Sequence, residues 1–325
     1  MKLVAADIGG TNARFAVVEV DAGGLRFLGE PVSLRRAEFA GLPEAWAAFR
    51  ETFEGEVPTR ASIAIAVAVR GDILEMPNSP WVIDRRTIAD EIGVEDLMMM
   101  NDFEAVAHSV GALEAGDLLH LFGPDRPLPE EGVISVIGAG TGLGVAYVLR
   151  GKAHYHAVAT EGGHGSFAPL DDFERELEAA LSKAHGRVSV ERVASGPAIR
   201  PICEALAARE GVTLDDADDR TLWMRTLAGE SAMYADALER FCRMLGAASG
   251  DIALVQGAHA VVLAGGVGQR IGARLGGAAF ADRFRAKGRY VELMERLPVK
   301  LITHDEPGLL GAAAAYVRAR GGQAG

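Results

Sequence analysis

Cysteine is nearly absent from this 325-residue chain, which carries only Cys203 and Cys242. Both fall in helical patterns with no histidine at metal-ligand spacing. They therefore read as buried structural thiols. No apolar run is long enough to span a membrane, and the opening Met1-Lys2-Leu3-Val4 does not resemble a signal peptide. A reducing, cytoplasmic setting without a membrane partner is expected. Positive charge is also short: 33 Lys and Arg face 45 Asp and Glu, a formal net charge of −12. That balance argues against nucleic acid or an anionic membrane surface as a partner. A polyphosphate ligand would need local donors and a divalent cation, because the overall field repels anions. The G-x-x-x-x-G-K-[ST] pattern is missing, which excludes a P-loop, and no low-complexity segment occurs. The remaining composition, 49% hydrophobic and 24% charged, is that of an ordinary globular chain long enough for two domains.

Two glycine-threonine turns stand out, ADIGGTNAR at 6–14 and GAGTGLG at 138–144. Each follows an apolar, β-rich run (Leu3–Ala6, Val133–Ile137) and leads into another (Phe15–Val20, Val145–Leu149). A Gly-rich turn so placed reads as a β-hairpin and not as a strand entering a helix, and the spacing lacks the third glycine of a dinucleotide fingerprint. Glycine lets backbone N–H groups approach a ligand, and successive amides in a turn form an anion-binding concavity. Thr11 and Thr141 each add a hydroxyl donor. One such loop is as readily a simple tight turn. Two of them, about 130 residues apart in sequence, suggest a pair of jaws on one polyphosphate.

Along the chain, strands are expected at 3–8, 13–20, 25–28, 61–69, 72–76 and 96–100, with helices near 42–53 and 84–92 and another after Asn101. The polar stretch 115–132, with Pro124, Pro127 and Pro129, reads as the crossing into a second unit. Strands follow at 133–138, 143–150 and 153–159, so strand-turn-strand recurs as an architectural repeat. Asp171 and Asp172 can cap a helix that Gly186 ends, and a long amphipathic run covers 230–257. A strand at 259–264 leads through Gly265-Gly266-Val267 into a helix. Val299–Thr303 forms a strand, and a helix begun by Pro307 runs to Arg320. The order is that of an α/β protein with a partly parallel sheet.

Asn101 and Asp102 follow the apolar run Leu97–Met100, at the carboxyl end of a strand where open α/β sheets place ligands. Asp102 reads either as a helix N-cap or as a general base for a substrate hydroxyl. Glu161-Gly162-Gly163-His164 adds a carboxylate and an imidazole in a glycine-loosened loop. Carboxylates, Asn amides and His are the residue types that pair with the hydroxyls of a sugar. An isolated His164 would more often be structural, and as a metal ligand it lacks a third partner.

On these residues the chain resembles the bacterial glucokinase family, within the group of hexokinase, Hsp70-type and actin-like ATPases. The resemblance runs nearly end to end. It takes in ADIGGTNAR, NDF at 101–103, GAGTGLG, EGGHGSFAP at 161–169, SVERVASGP at 189–197, LAGGV at 263–267 and HDEPGLLGAAA at 304–314. It implies a two-domain actin-like ATPase (ribonuclease H-like) α/β fold with a ligand cleft between a smaller domain, 1–112 plus 304–325, and a larger one, 113–303. It implies ATP-dependent phosphorylation of D-glucose at the 6-hydroxyl, the first step of glycolysis, with ATP and Mg²⁺ as cofactors and a homodimer as the assembly.

Residue by residue, the resemblance makes Asp102 the base facing the 6-hydroxyl. Asn78, Asn101, Glu161, His164 and Glu191 would hold the other hydroxyls. The first phosphate segment would be Ala6, Asp7, Ile8, Gly9, Gly10, Thr11 and Asn12, with Asp7 anchoring the metal through water. The second would be Gly138, Gly140, Thr141 and Gly142, with Gly265 and Gly266 against the adenosine. Glu191 would not be chosen without the resemblance, since a Glu in a helical pattern is usually a solvated surface residue. One departure is visible: Ala68 stands where the family usually has a proline, which could loosen the exit from the preceding strand. Gly163-His164 is followed by Gly-Ser-Phe-Ala-Pro and not by the cysteine-rich zinc motif of the other large bacterial sugar-kinase class. A kinase of another hexose on the same fold, a non-catalytic sugar sensor and an actin-like polymerising ATPase are the alternative readings. A regulator of the related kinase type would carry a DNA-binding segment before the first strand, and none is expected here.

Overall fold

The computed structural model describes residues 1–321 apart from Gly23, Pro77, Asn78 and Ala153. The chain divides into two compact units. One comprises Met1–Glu114, Ala157–Ala159 and the segment from His304 onward, and the other comprises Ala115–His156 and Thr160–Thr303.

The first unit is built on β1 (Lys2–Ile8), β2 (Asn12–Asp21), β3 (Gly24–Phe27), β4 (Val32–Arg35) and β5 (Arg60–Ile65). A short hairpin of β6 (Ile73–Glu75) and β7 (Val82–Asp84) follows, then β8 (Asp96–Asn101). The sheet order is β3-β2-β1-β5-β8, with β4 also pairing β2. β1 runs antiparallel to β2 and parallel to β5. Five of the seven residues of β1, namely Leu3, Val4, Ala5, Ala6 and Ile8, are wholly buried. Alternate side chains of a strand point to opposite faces. Val4, Ala6 and Ile8 accordingly share a cluster with Trp46 and Phe49 of the helix Leu42–Thr52. Leu3 and Ala5 share another with Leu309, Ala312 and Tyr316 of the helix Pro307–Gly321. A strand covered on both faces needs an unbroken apolar run, which is what Leu3–Ala6 supplies.

The helix Pro307–Gly321 owes its close packing to small residues. A Cβ on Gly311 would lie 1.7 Å from the Ala105 carbonyl oxygen of the helix Asp102–Ser109, and one on Gly308 would lie 2.7 Å from Asp7 Oδ2. Backbone contact leaves room only for glycine at 311, while a side chain at 308 would press on the Asp7 carboxylate.

A second sheet repeats the plan with β9 (Leu118–Phe122), β10 (Gly132–Ala139), β11 (Leu143–Arg150), β12 (Tyr155–Thr160), β13 (Ala258–Ala264) and β14 (Val299–Ile302). Its order is β12-β11-β10-β13-β14-β9. Again a central strand, β10, is antiparallel to the strand it turns into and parallel to a later one. The expected strand-turn-strand repeat is thus present in both sheets. The 25-residue helix Ala232–Gln256 packs so tightly on the helix Ala278–Arg285 that a Cβ on Gly246 would meet the Phe280 carbonyl oxygen at 2.3 Å.

Two local expectations are corrected, and two strands go beyond what was expected. The strand expected over 61–69 stops at Ile65, because the chain turns there and the Val67 N–H bonds the Ile65 carbonyl at 2.7 Å. The helix expected over 84–92 covers only Ile88–Ile92, with residues 82–84 paired as β7. The crossing stretch 115–132 contains β9, an edge strand whose following prolines cannot extend a ladder. β4 was not anticipated: Val32–Arg35 is short, alternating and half-exposed, a weak signal against its polar surroundings.

Candidate active site

Both hairpins turn through three residues, Gly9-Gly10-Thr11 between β1 and β2 and Gly140-Thr141-Gly142 between β10 and β11. Each is closed by its first amide: Gly9 N–H donates to the Asn12 carbonyl three residues on, and Gly140 N–H to the Gly142 carbonyl two residues on, both at 2.9 Å. Gly10, Thr11 and Thr141 are exposed. A Cβ on Gly10 or Gly140 would meet nothing within 4 Å, and neither residue has a positive φ. The fold therefore does not demand glycine at either tip.

Around the first turn the hairpin register sets Asp7 opposite Arg14. Arg14 Nη1 lies 3.7 Å from Asp7 Oδ2, and its Nε lies 3.6 Å from Glu306 Oε1. Burial foremost, then the negative charge of Asp102, pushes the Asp7 carboxyl up to about 7; Arg14 opposes the shift and Glu306 adds to it. Asp7, Asp102 and Glu306 are thus an acidic group in one electrostatic environment. Neither Arg14 nor Glu306 was singled out from the sequence. The hairpin register was the signal that could have found Arg14.

At the end of β8 the chain enters the helix Asp102–Ser109, and its N-cap is Asn101, not Asp102. Asn101 Oδ1 accepts from the Phe103 and Glu104 amides at 2.9 and 3.2 Å, from an extended backbone (ψ 146°). Its Nδ2 donates to the Val67 carbonyl at 3.2 Å, which ties the exit of β5, beside Ala68, to the helix start. Asn101 thus takes over the cap that would otherwise have accounted for Asp102. Asp102 Oδ1 accepts the adjacent Phe103 amide at 2.8 Å.

In the second unit the structure brings Glu161, His164 and Glu191 together. His164 Nε2 is 3.7 Å from Glu161 Oε2, and Nδ1 is 4.0 Å from Glu191 Oε1. Glu191 opens the short helix Glu191–Ala194, and its other oxygen, Oε2, accepts the Leu143 amide at 2.9 Å. That amide directly follows the second turn. A Cβ on Gly142 would lie 2.5 Å from the same oxygen, so this glycine makes room for Glu191. On its other side the turn is held by Gly196, whose N–H donates to the Gly140 carbonyl at 2.7 Å. Gly265 has φ +89°, and a Cβ there would meet the Ala139 carbonyl oxygen at 2.4 Å, so both backbone and space require glycine. Gly266 opens the helix Gly266–Ile271. Gly138 lies in β10, opposite Gly144 of β11. Asn78 lies outside the described residues.

Cys203 and Cys242 are buried free thiols, and burial pushes both up, to about 11 and about 12, which leaves them protonated and inert at neutral pH. Among the described residues no helix is long and apolar enough to cross a membrane.

Comparison with known proteins agrees with this arrangement. The glucokinase family model matches residues 4–319. A glucokinase of Zymomonas mobilis subsp. mobilis is 48% identical over 316 residues, 97% of this chain and 98% of that protein. One of Caulobacter vibrioides is 36% identical over 95% of this chain and 93% of its own. The crystal structure of a glucokinase from an Antarctic psychrotroph superposes with a TM-score of 0.82 at 32% identity, covering 97% of this chain and 98% of that one. The architecture is the two-domain α/β fold of the actin-like ATPase group. With both Gly-Thr turns, the Asn101-capped helix and the Glu161–His164–Glu191 group within the matched span, the chain belongs to the glucokinase family.

Proposed function

We propose that this chain transfers the γ-phosphoryl group of ATP to the 6-hydroxyl of D-glucose. The observation that carries this is the bond from the Leu143 amide to Glu191. It links a phosphate-type turn directly to a carboxylate that stands in a hydroxyl-binding group with His164 and Glu161. The amides of the turns at 9–11 and 140–142 that are not already bonded within them, as those of Gly9 and Gly140 are, would meet the phosphates, and Gly265 and Gly266 would lie against the adenosine. Asn101, Glu161, His164 and Glu191 would pair with the sugar hydroxyls.

Asp102 orients the 6-hydroxyl through an accepted hydrogen bond. A carboxylate is a weak base toward an alcohol, so it takes the proton late, as the oxygen bonds to phosphorus. Phosphoryl transfer passes through a loose transition state, in which positioning and charge stabilisation outweigh covalent chemistry.

The acidic environment of Asp7, Asp102 and Glu306 fits a divalent cation, since each carboxylate there raises the cost of charging Asp7. No cluster of three or more His, Cys, Asp or Glu able to hold a metal occurs among the described residues. That donor set suits Mg²⁺ held chiefly by phosphate oxygens and water, with Asp7 anchoring the water shell. When bound, Mg²⁺ would neutralise charge on the phosphates. A homodimer through the helical region 171–257 completes the proposal; the 87% exposed Val255 near the end of the helix Ala232–Gln256 supports an apolar contact there. Sedimentation equilibrium would return a monomer mass if that part is wrong.

The test of the activity is a coupled assay with ATP across glucose, mannose, fructose, galactose and glucosamine. Glucose should have the highest kcat/KM. A different preferred hexose would make the protein another sugar kinase, and no turnover with any of them would make it a sensor.

A further inference from the structure

The first Gly-Thr turn rests on a buried cation. β4 pairs with the start of β2 so that Arg35 lies opposite Asn12, and the next residue, Arg36, is only 4% exposed. The Arg36 backbone N–H donates to the Thr11 carbonyl at 3.0 Å, and Nη1 donates to the Gly9 carbonyl. The guanidinium carbon sits 5.4 Å from the centroid of Trp81, a ring itself fixed by its Nε1–H donating to the Phe39 carbonyl at 2.9 Å. Arg36 Nε is buried without a hydrogen-bond partner, and among the described residues no carboxylate lies within ion-pair distance of the side chain. Burial accordingly lowers the pKa of Arg36.

A buried charge without a counter-charge is unfavourable, and an apolar side chain would fill the same space on Trp81 at lower cost. Its placement gives it a use. In a planar trans peptide the C=O of one residue and the N–H of the next point in opposite directions. Holding the Gly9 carbonyl against the guanidinium therefore aims the Gly10 N–H away from Arg36, on the outer side of the turn. A charge-assisted bond to the carbonyl also polarises the peptide and makes that N–H a stronger donor. Gly10 itself is exposed, with open space around it.

We infer that Arg36 is a positioning residue for phosphate: it fixes and polarises the Gly9–Gly10 peptide so that the Gly10 N–H meets a phosphoryl oxygen of ATP, whose negative charge supplies the missing counter-charge. This rests on the reading of residues 9–11 as a phosphate loop. Arg36 touches neither substrate, and its role passes through one peptide group.

The test compares Arg36→Met, Arg36→Gln, Arg36→Lys and Gly10→Val by steady-state kinetics, with KM for ATP and for glucose measured separately and thermal melting as a check on folding. Arg36→Met should raise the KM for ATP about tenfold or more while the KM for glucose stays within about twofold, as loss of a charge-assisted bond at one ligand predicts. Lys restores the charge and a donor, and should recover most of the loss; Gln keeps a donor without charge and should recover little. Equal rises in both KM values without rescue by Lys, or an unchanged KM for ATP, would overturn the role. If Arg36→Met does not fold, Lys and Gln variants with the same KM for ATP would overturn it equally. Gly10→Val separates the two layers. If it raises the KM for ATP and Arg36→Met does not, the loop reading stands and Arg36 is only structural; if neither raises it, the loop reading itself fails.

Discussion

Gly142→Ala adds a single methyl group, yet its effect should fall more on the sugar than on the nucleotide. The new Cβ would lie 2.5 Å from Glu191 Oε2 and 3.3 Å from the carboxyl carbon, whereas real contacts do not come under 3.0 Å. The carboxylate must retreat by at least about half an ångström, and the atom displaced is the one that accepts the Leu143 amide at 2.9 Å. A hydrogen bond to a charged acceptor contributes about 1.5–3 kcal/mol. Because the Glu191 side chain is 30% exposed, water replaces part of that loss and the lower end of the range applies. At about 1.4 kcal/mol per decade, kcat/KM for glucose should fall roughly ten- to thirtyfold. The measurement is a coupled assay for glucose 6-phosphate with each substrate varied at saturating levels of the other. A Gly142→Ala enzyme within about threefold of wild type for glucose, or one that loses ATP and glucose equally, would refute the link between Glu191 and the turn.

Gly140→Val makes the complementary test. Its side chain enters open space without backbone strain, so the melting temperature should hold while the KM for ATP rises by an order of magnitude or more, as a β-branched group blocks close approach of phosphate. Asp102→Ala should lower kcat by about 10²- to 10⁴-fold and leave glucose binding measurable by calorimetry; a variant keeping more than about a tenth of wild-type kcat would exclude Asp102 as the base. Asp7→Asn should flatten the pH dependence of stability in ligand-free protein. The Asp7 pKa is raised from 3.8 to about 7, so its contribution is fully present below about pH 4 and lost as pH rises through 7. The variant should therefore melt progressively higher than wild type as pH increases from 4 to 7, and parallel melting curves across that window would contradict the shift.

The apolar runs and glycine turns made both hairpins legible, since alternation and turn chemistry are local properties of adjacent residues. Helix limits were legible where caps mark them: Asp171 accepts the Glu174 amide and Gly186 follows the last turn. What could not be read depends on register between distant segments. β4 had too few residues for periodicity to register, and without β4 nothing placed Arg36 beneath Gly9. The pairing of Asp7 with Arg14 and of Arg14 with Glu306 needs residues from both ends of one unit. Asn101 and Asp102 are adjacent and both able to cap, and only the extended backbone of Asn101 decides which one does. Glu191 carried no local signal, because its neighbours in space, Leu143 and His164, are far from it in sequence.

The helix Pro307–Gly321 lies over Leu3 and Ala5 of the first strand, with Gly311 against Ala105. During synthesis this places a long delay inside one unit. Its strands emerge first, but the face of β1 that this helix covers stays bare while the roughly two hundred residues of the other unit are made. At typical ribosomal rates of about 5–20 residues per second, that interval lasts on the order of ten seconds or more. The later-made unit can therefore finish folding before the earlier-made one, and the bare face of β1 is where a chaperone would be needed.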